Sequence, residues 1–343
     1  MKPTQTDVIS ALDARAVEGR DWALAKIGGD AEVAFRPASA DASFRRYFRL
    51  SDGDASWILM DAPPQQEDTA PFVRVAELMH QAGLNAPRVL AQDSARGYLL
   101  LSDLGKQTFL DVIRADGTTP EAAETLMLAA IDALLEWQQS SRPGVLPPYD
   151  AALLQRELDL FEDWYVARHL QRTLTPPQKA ALRGIQQLLI DSALAQAPVF
   201  VHRDYMPRNL MVSASGPGIL DFQDAVEGPI SYDVVSLVRD AFWSWPADRV
   251  DAWMRRYWAL ARERGLPVDA DYAEFRRAAD WMGLQRHLKV IGIFARINYR
   301  DGKPHYLADV PRFIAYVRSV AADYPAMAPL LQLFDELDLR ASS

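Results

Sequence analysis

Cysteine is absent from the 343-residue chain. That excludes a disulfide framework, a thiol nucleophile, a zinc–thiolate centre and an iron–sulfur cluster. No stretch approaches about 18 consecutive apolar residues, so no membrane-spanning helix is expected. The opening MKPTQTDVIS lacks the apolar core of an export signal, which makes the cytoplasm the expected compartment. Basic charge is also in deficit, with 37 Lys and Arg against 46 Asp and Glu and a net charge of −9. This argues against a dedicated nucleic-acid binder. Nothing in the chain implies a membrane or an obligate protein partner, and no repeat or low-complexity tract stands out.

What is present is a globular composition, 49% hydrophobic and 24% charged, which disordered and collagen-like chains do not share. At roughly 100–200 residues per domain the length suggests about two domains or lobes. A chain of this size removes about three quarters of its unfolded surface from water without staples. Val8, Leu12 and Ala16 recur every fourth position within Thr6 to Gly28 and predict an amphipathic helix. Strands are expected at 32–38, 43–50, 56–60, 88–93 and 96–101, with a helix from Pro71 to Gly83 between the third and fourth. After Gly105 helical periodicity dominates, at 120–141, 150–172, 176–196 and beyond about 225. A strand-rich island interrupts it at 198–222. Strands and helices are segregated, which favours α+β over a doubly wound sheet. The expected division is a β-rich lobe with a leading helix at 1–103, a hinge near 101–106 and a larger helical lobe at 104–343.

The island carries the chemistry. His202-Arg203-Asp204 is followed after four residues by Asn209, and an apolar strand then ends in Asp221-Phe222. This is the phosphoryl-transfer spacing of protein kinases and their small-molecule relatives. A carboxylate at Asp204 accepts the proton of an attacking hydroxyl and holds it in line with the γ-phosphate of ATP. Asn209 offers a neutral oxygen and Asp221 a charged one, a donor set suited to Mg²⁺. Asp233, at the start of an apolar helix, is either a carboxylate reaching back to the catalytic loop or an ordinary helix cap, and like His202 it is assigned a structural role.

These motifs resemble the aminoglycoside phosphotransferase and choline kinase group of the protein-kinase-like fold. A narrower likeness, to bacterial anomeric amino-sugar kinases, is carried by Asp41 to Arg49, Met60-Asp61-Ala62-Pro63-Pro64, Asp221 to Pro229 and Gln285 to Arg296. The resemblance implies a bilobal α+β fold with a small β-rich N-lobe binding ATP and a mostly helical C-lobe. It implies transfer to the C1 hydroxyl of N-acetylmuramate or N-acetylglucosamine, in the recycling of peptidoglycan sugars. Ser102, Asp103 and Leu104 match the interlobe segment that meets adenine, and Glu77 matches the helix glutamate that orients a phosphate-binding lysine. That lysine is missing, since Met60 or Asp61 stands in its place. A Gly-x-Gly-x-x-Gly loop is missing too, with Ser39 to Phe44 in its place, so Ser43 and Phe44 join the expected nucleotide site. Arg45, Arg46 and Arg49 are the cations available, and Arg46 or Arg49 is expected to replace the lysine.

For the acceptor, the stretch 285–303 is rich in cations. Arg286, Lys289 and Arg296 fall roughly on one helical face, placed either to meet the lactyl carboxylate of N-acetylmuramate or to face water. Arg208, Asp224, Glu227 and Arg286 are the expected sugar contacts, with Asp224 and Glu227 serving hydroxyls. Trp243 and Trp245 either stack on a sugar ring or pack in the core. Two rival functions remain on sequence alone: an aminoglycoside, choline or homoserine kinase, and a nucleotide-binding module without catalysis.

Overall fold

The computed structural model describes residues 13–30, 32–39 and 44–340. The chain forms two compact units. The first comprises the described residues up to Gln107 together with Met211–Asp224, and the second comprises Thr108–Leu210 with the described residues from Ala225 on. Among the described residues no helix is long and apolar enough to cross a membrane.

In the first unit, helix α1 (Ala14–Ile27) starts at Asp13, whose carboxylate accepts the Ala16 N–H, and ends at Gly28 in the left-handed region. The part of this helix expected from Thr6 lies outside the described residues. Strands β1 (Ala34–Ser39), β2 (Arg46–Asp52) and β3 (Ala55–Asp61) precede helix α2 (Ala70–Gln81), and β4 (Val89–Asp93) and β5 (Tyr98–Ser102) follow it. They form one antiparallel sheet in the order β1-β2-β3-β5-β4. Alternation puts Phe48 and Leu50 on one face of β2, where Phe48 stacks on Phe35 with ring centroids 4.9 Å apart. Trp22 and Ala23 of α1 cover the same core together with Leu59, Tyr98 and Leu100. The hairpin between β4 and β5 needs Gly97. Its φ is +74°, and a Cβ there would lie 1.9 Å from the Ala62 carbonyl oxygen.

Residues 211–224 were expected with the helical lobe but group with the first unit. The Ile219 N–H donates to the Asn85 carbonyl at 2.8 Å, and Val212 N–H to that of Gln107 at 2.9 Å. Phe222 packs on Phe72 of α2 at 4.8 Å between centroids.

The second unit contains α3 (Phe109–Arg114), α4 (Pro120–Gln139), α5 (Ala151–Leu160), α6 (Pro176–Leu194) and strand β6 (Pro198–Val201). Beyond the short segments β7 (Leu210–Met211) and β8 (Gly218–Ile219), strand β9 (Val226–Pro229) pairs antiparallel with β6. Helices α7 (Tyr232–Val238), α8 (Ala247–Glu263), α9 (Tyr272–Asp301), α10 (Val310–Ala322) and α11 (Ala328–Glu336) complete it. The 30-residue α9 is buried through most of its length. Gly292 brings it against α5, since a Cβ there would sit 2.4 Å from the Leu160 carbonyl oxygen. At that point the helix expected over 150–172 changes form. Phe161–His169 is a π-helix, a wider turn that keeps Phe161, Tyr165 and Val166 buried.

Candidate active site

The second unit carries the loop after β6. The backbone N–H groups of His202 and Arg203 donate to the two carboxylate oxygens of Asp233, at 2.6 and 3.0 Å. Asp233 sits in the first turn of α7, fully buried, and burial pushes its carboxyl up to about 7 against the pull of those two donors. Arg203 adopts φ +75°, a left-handed conformation that costs a non-glycine residue about 1–2 kcal/mol. His202 Nδ1 accepts the Asp204 N–H at 3.2 Å, and Asn209 Nδ2 donates to the Asp204 carbonyl at 2.9 Å. The Asn209 amide oxygen, the atom suited to a hard cation, stays outside that bond. Tyr205 anchors the loop from below by donating to the Ala130 carbonyl at 2.8 Å.

The Arg203 side chain turns inward to Glu157 of α5, with Nη2 2.5 Å from Oε1. Lys289 Nζ approaches the same oxygen at 2.7 Å and donates to the Tyr232 hydroxyl at 3.0 Å. The Tyr149 hydroxyl and Gln285 Nε2 donate to Oε2. Burial alone would raise the Glu157 pKa, but the Lys289 and Arg203 charges overcome it and hold the carboxyl at about 2.

Burial distinguishes the cations in the basic stretch of α9. Lys289 is spent on Glu157. Arg286 is only 2% exposed and donates to the Arg239 carbonyl at 3.4 Å. Arg296 is half-buried. Because α9 runs through the interior, cations on this face need internal partners, and Arg286 presents no open charge to a sugar. Glu227 is likewise engaged, accepting the Gly144 N–H at 2.8 Å. Arg208 lies with its guanidinium 4.7 Å from the centroid of the Phe242 ring. Trp243 and Trp245 meet edge to face at 6.0 Å, and Trp245 packs against the buried Trp253 at 4.9 Å.

In the first unit Asp221 also holds a positive φ, +63°. Two of the loops bearing expected site residues thus store backbone strain, a common feature of functional positions. Gln223 Nε2 donates to Asp221 Oδ1 at 2.9 Å and lies 3.5 Å from the exposed Asp224 carboxylate. Arg45 stands between two acids, its guanidinium 3.6 Å from Asp221 Oδ1 and 3.6 Å from Glu67 Oε2.

The other two arginines are committed elsewhere. Arg46 pairs with Asp13 and, at 2.5 Å, with Asp61, which is fully buried and also binds Arg15 at 2.7 Å. Arg49 forks onto Asp103 at 2.5 and 3.0 Å and reaches the Gly105 carbonyl. The acid in the place of the missing lysine thus neutralises Arg46, and it is Arg45 that meets Asp221. Glu77 does not take the expected orienting position. It is exposed and accepts from Gln81 one turn on, because Phe72, Val75, Ala76 and Met79 form the buried face of α2. Glu67, ahead of the helix, pairs with Arg45 instead. Ser102 Oγ accepts the Arg88 N–H at 2.8 Å, and the Leu104 side chain is where a Cβ on Gly218 would collide, at 3.0 Å. Phe44 is 58% exposed, and Ser43 lies outside the described residues.

Glu67 and Glu157 were not singled out from sequence. For Glu157 a signal existed: it falls beside Leu154 and Leu158 on the apolar face of α5. For Glu67, in an irregular stretch, there was none.

Comparison with known proteins places these features in context. The pattern of the phosphotransferase enzyme family (APH) matches residues 34–276. An N-acetylmuramate/N-acetylglucosamine kinase of Pseudomonas putida is 55% identical over 304 residues, 89% of this chain and 88% of its own. The protein of the same description from Pseudomonas aeruginosa is 56% identical over 301 residues, 88% of each chain. The solved structure of wild-type aminoglycoside 2'-phosphotransferase-IIIa with GDP superposes with a TM-score of 0.59 at 12% identity, over 90% of this chain and 99% of that one. At that identity the likeness is one of fold: α+β, of the protein-kinase-like class.

Proposed function

We propose, from the premise that this chain belongs to the phosphotransferase enzyme family, that it transfers the γ-phosphoryl group of ATP to the C1 hydroxyl of N-acetylmuramate and N-acetylglucosamine. The observation that carries the choice of acceptor is the identity above one half, over nearly nine tenths of the chain, with kinases described for those two sugars. A sugar 1-phosphate made in the cytoplasm suits the recycling of cell-wall sugars, and a nucleotidyl transfer is the reaction class that would consume it.

In this reading Asp204 orients the acceptor hydroxyl and takes its proton as transfer proceeds. Its backbone is held on both sides, by His202 Nδ1 on its N–H and by Asn209 on its carbonyl, which fixes the point from which the carboxylate projects. Asn209 and Asp221 are the oxygen donors for Mg²⁺. Their chemistry fits a hard cation, and the Asn209 amide nitrogen donates to the Asp204 carbonyl, which leaves the amide oxygen available to a metal. Bound there, Mg²⁺ would neutralise charge on the triphosphate. Arg45 takes the place of the missing lysine, with Glu67 orienting its guanidinium toward phosphate. Arg208 and Asp224 are the remaining candidates for the sugar.

The test is an acceptor panel with ATP, comprising both amino sugars, an aminoglycoside, choline and homoserine, with phosphorus NMR to locate the new ester. An anomeric phosphate on the amino sugars alone is expected. Asp204→Asn should lose about 10²- to 10⁴-fold in turnover while still binding ADP. Undiminished turnover in that variant would falsify the assignment.

A further inference from the structure

We propose that Lys289 is a positioning residue for phosphoryl transfer, fixing through Glu157 and Arg203 the backbone on which Asp204 stands. The proposal rests on the kinase reading of Asp204.

The geometry makes a closed set. A carboxylate has about four acceptor sites, and Glu157 fills them two to an oxygen: Arg203 and Lys289 on Oε1, Tyr149 and Gln285 on Oε2. Glu157 is 5% exposed and Lys289 7%. Two cations share one anion in the interior, which leaves one positive charge unmatched within the set. The carboxylate of Asp204 acts electrostatically on both cations. Asp204 is half-buried and follows Arg203 directly in the chain.

Stability alone is a poor account of this arrangement. Buried ion pairs are often matched or bettered by well-packed apolar residues of similar volume, and methionine has nearly the length of lysine. Arg203 supplies the other reason. A residue held at φ +75° persists only when its surroundings over-determine it. Asp233 fixes its N–H and Glu157 fixes its guanidinium. Lys289, by binding the same Glu157 oxygen, limits where Arg203 can place its Nη2. A shift there is passed to the next peptide, the one bearing the Asp204 carboxylate. Tyr232 ties the device to α7, for its hydroxyl accepts from Lys289 and its neighbour Asp233 holds the loop backbone.

The experiment compares Lys289→Met, Lys289→Arg and Tyr232→Phe in the full chain. Lys289→Met should lower kcat about 10- to 100-fold, the scale of a displacement near 1 Å at a reacting group. Its KM for ATP and its Kd for ADP should stay within about twofold, since the proposed role is to position Asp204 and not to bind nucleotide. Lys289→Arg should recover part of the loss. In an Asp204→Asn background Lys289→Met should cost nothing further, because a residue acting through Asp204 has nothing left to position. A folded Lys289→Met enzyme with wild-type kcat, or losses that multiply in the double variant, overturns the proposal. If Lys289→Met does not fold, Tyr232→Phe decides: it removes one hydroxyl and should lower kcat several-fold in a folded enzyme, and an unchanged kcat overturns the proposal. Full turnover in Asp204→Asn alone would instead remove the kinase reading, so the two failures are distinct.

Discussion

Each unit holds an acid–arginine cluster next to a strained loop, and the two are built differently. In the first unit Arg45 stands 3.6 Å from each of Asp221 and Glu67, and the three side chains are 12, 28 and 19% exposed. In the second unit Glu157 meets Arg203 at 2.5 Å and Lys289 at 2.7 Å, with its own side chain 6% exposed. Loose pairs in partial contact with water exchange partners at little cost, because solvent already screens them. A tight, desolvated set does not, because any group left alone bears the full penalty of burial. The first cluster is therefore suited to receive a charged ligand, and the second to hold one geometry through every turnover.

The strongest way to break that contrast is Glu157→Gln. It strands Arg203 and Lys289 without a counter-charge, and we expect a loss of about 3–5 kcal/mol, read as a fall in the urea midpoint. The sign with pH follows from the folded value of about 2 against an ordinary 4.5. A depressed carboxyl contributes stability that is complete above pH 4.5 and disappears as pH falls through about 2. The shift corresponds to ~3 kcal/mol. The acid limb of stability should be flatter in Glu157→Gln than in the wild type. Asp233 works the other way. Its carboxyl is raised to about 7, so its contribution is complete below pH 3.8 and is lost as pH rises through 7. An equal acid limb in both proteins would mean that Glu157 is not held as the structure shows it.

The first cluster should respond in binding rather than in stability. Arg45→Gln is expected to raise the KM for ATP about tenfold, with a stability change under ~1 kcal/mol. Arg45→Lys should regain part of the affinity. If Arg45→Gln leaves the KM unmoved, the cluster is an ion pair like any other and the triphosphate finds its cation elsewhere.

Much of this was legible in the sequence where the information is local. The polar residues of 202–209 and 221–224 stand at strand ends because apolar tripeptides flank them, and chain spacing alone sets Asn209 five residues beyond Asp204. The five strands of the first unit follow from short apolar-rich runs bounded by turn chemistry. What stayed hidden depends on distant pairs. Three arginines in five residues look alike in the sequence, and only folding gives Asp13 and Asp61 to Arg46, Asp103 to Arg49, and Asp221 to Arg45. Strand alternation was no guide to Arg45, which precedes the first paired residue of β2. Lys289 of α9 read as part of an open face because its acid, Glu157, lies on another helix. The π-turn after α5 begins where Gly292 lies against Leu160, and no local pattern announces it.

The smallest expected effects sharpen the comparison most finely, through two glutamates ten residues apart. Glu67 pairs with Arg45, whereas Glu77 accepts a hydrogen bond from Gln81 on an exposed turn. Both are surface-accessible acids, so neither change should move stability beyond about 0.5 kcal/mol. Their effects on the nucleotide should nevertheless differ. Glu67→Gln frees Arg45 from one of the acids beside it, and the guanidinium then keeps its charge but loses a fixed direction. A rise of two- to threefold in the KM for ATP is expected, roughly 0.5 kcal/mol of binding. Glu77→Gln removes an exposed charge with no ion pair to Arg45 among the described residues, and KM should not change. Added salt should shrink the Glu67 effect, since the pair keeps partial contact with water. If the two variants behave alike, the orienting role belongs to neither acid, and the first cluster acts through Arg45 alone.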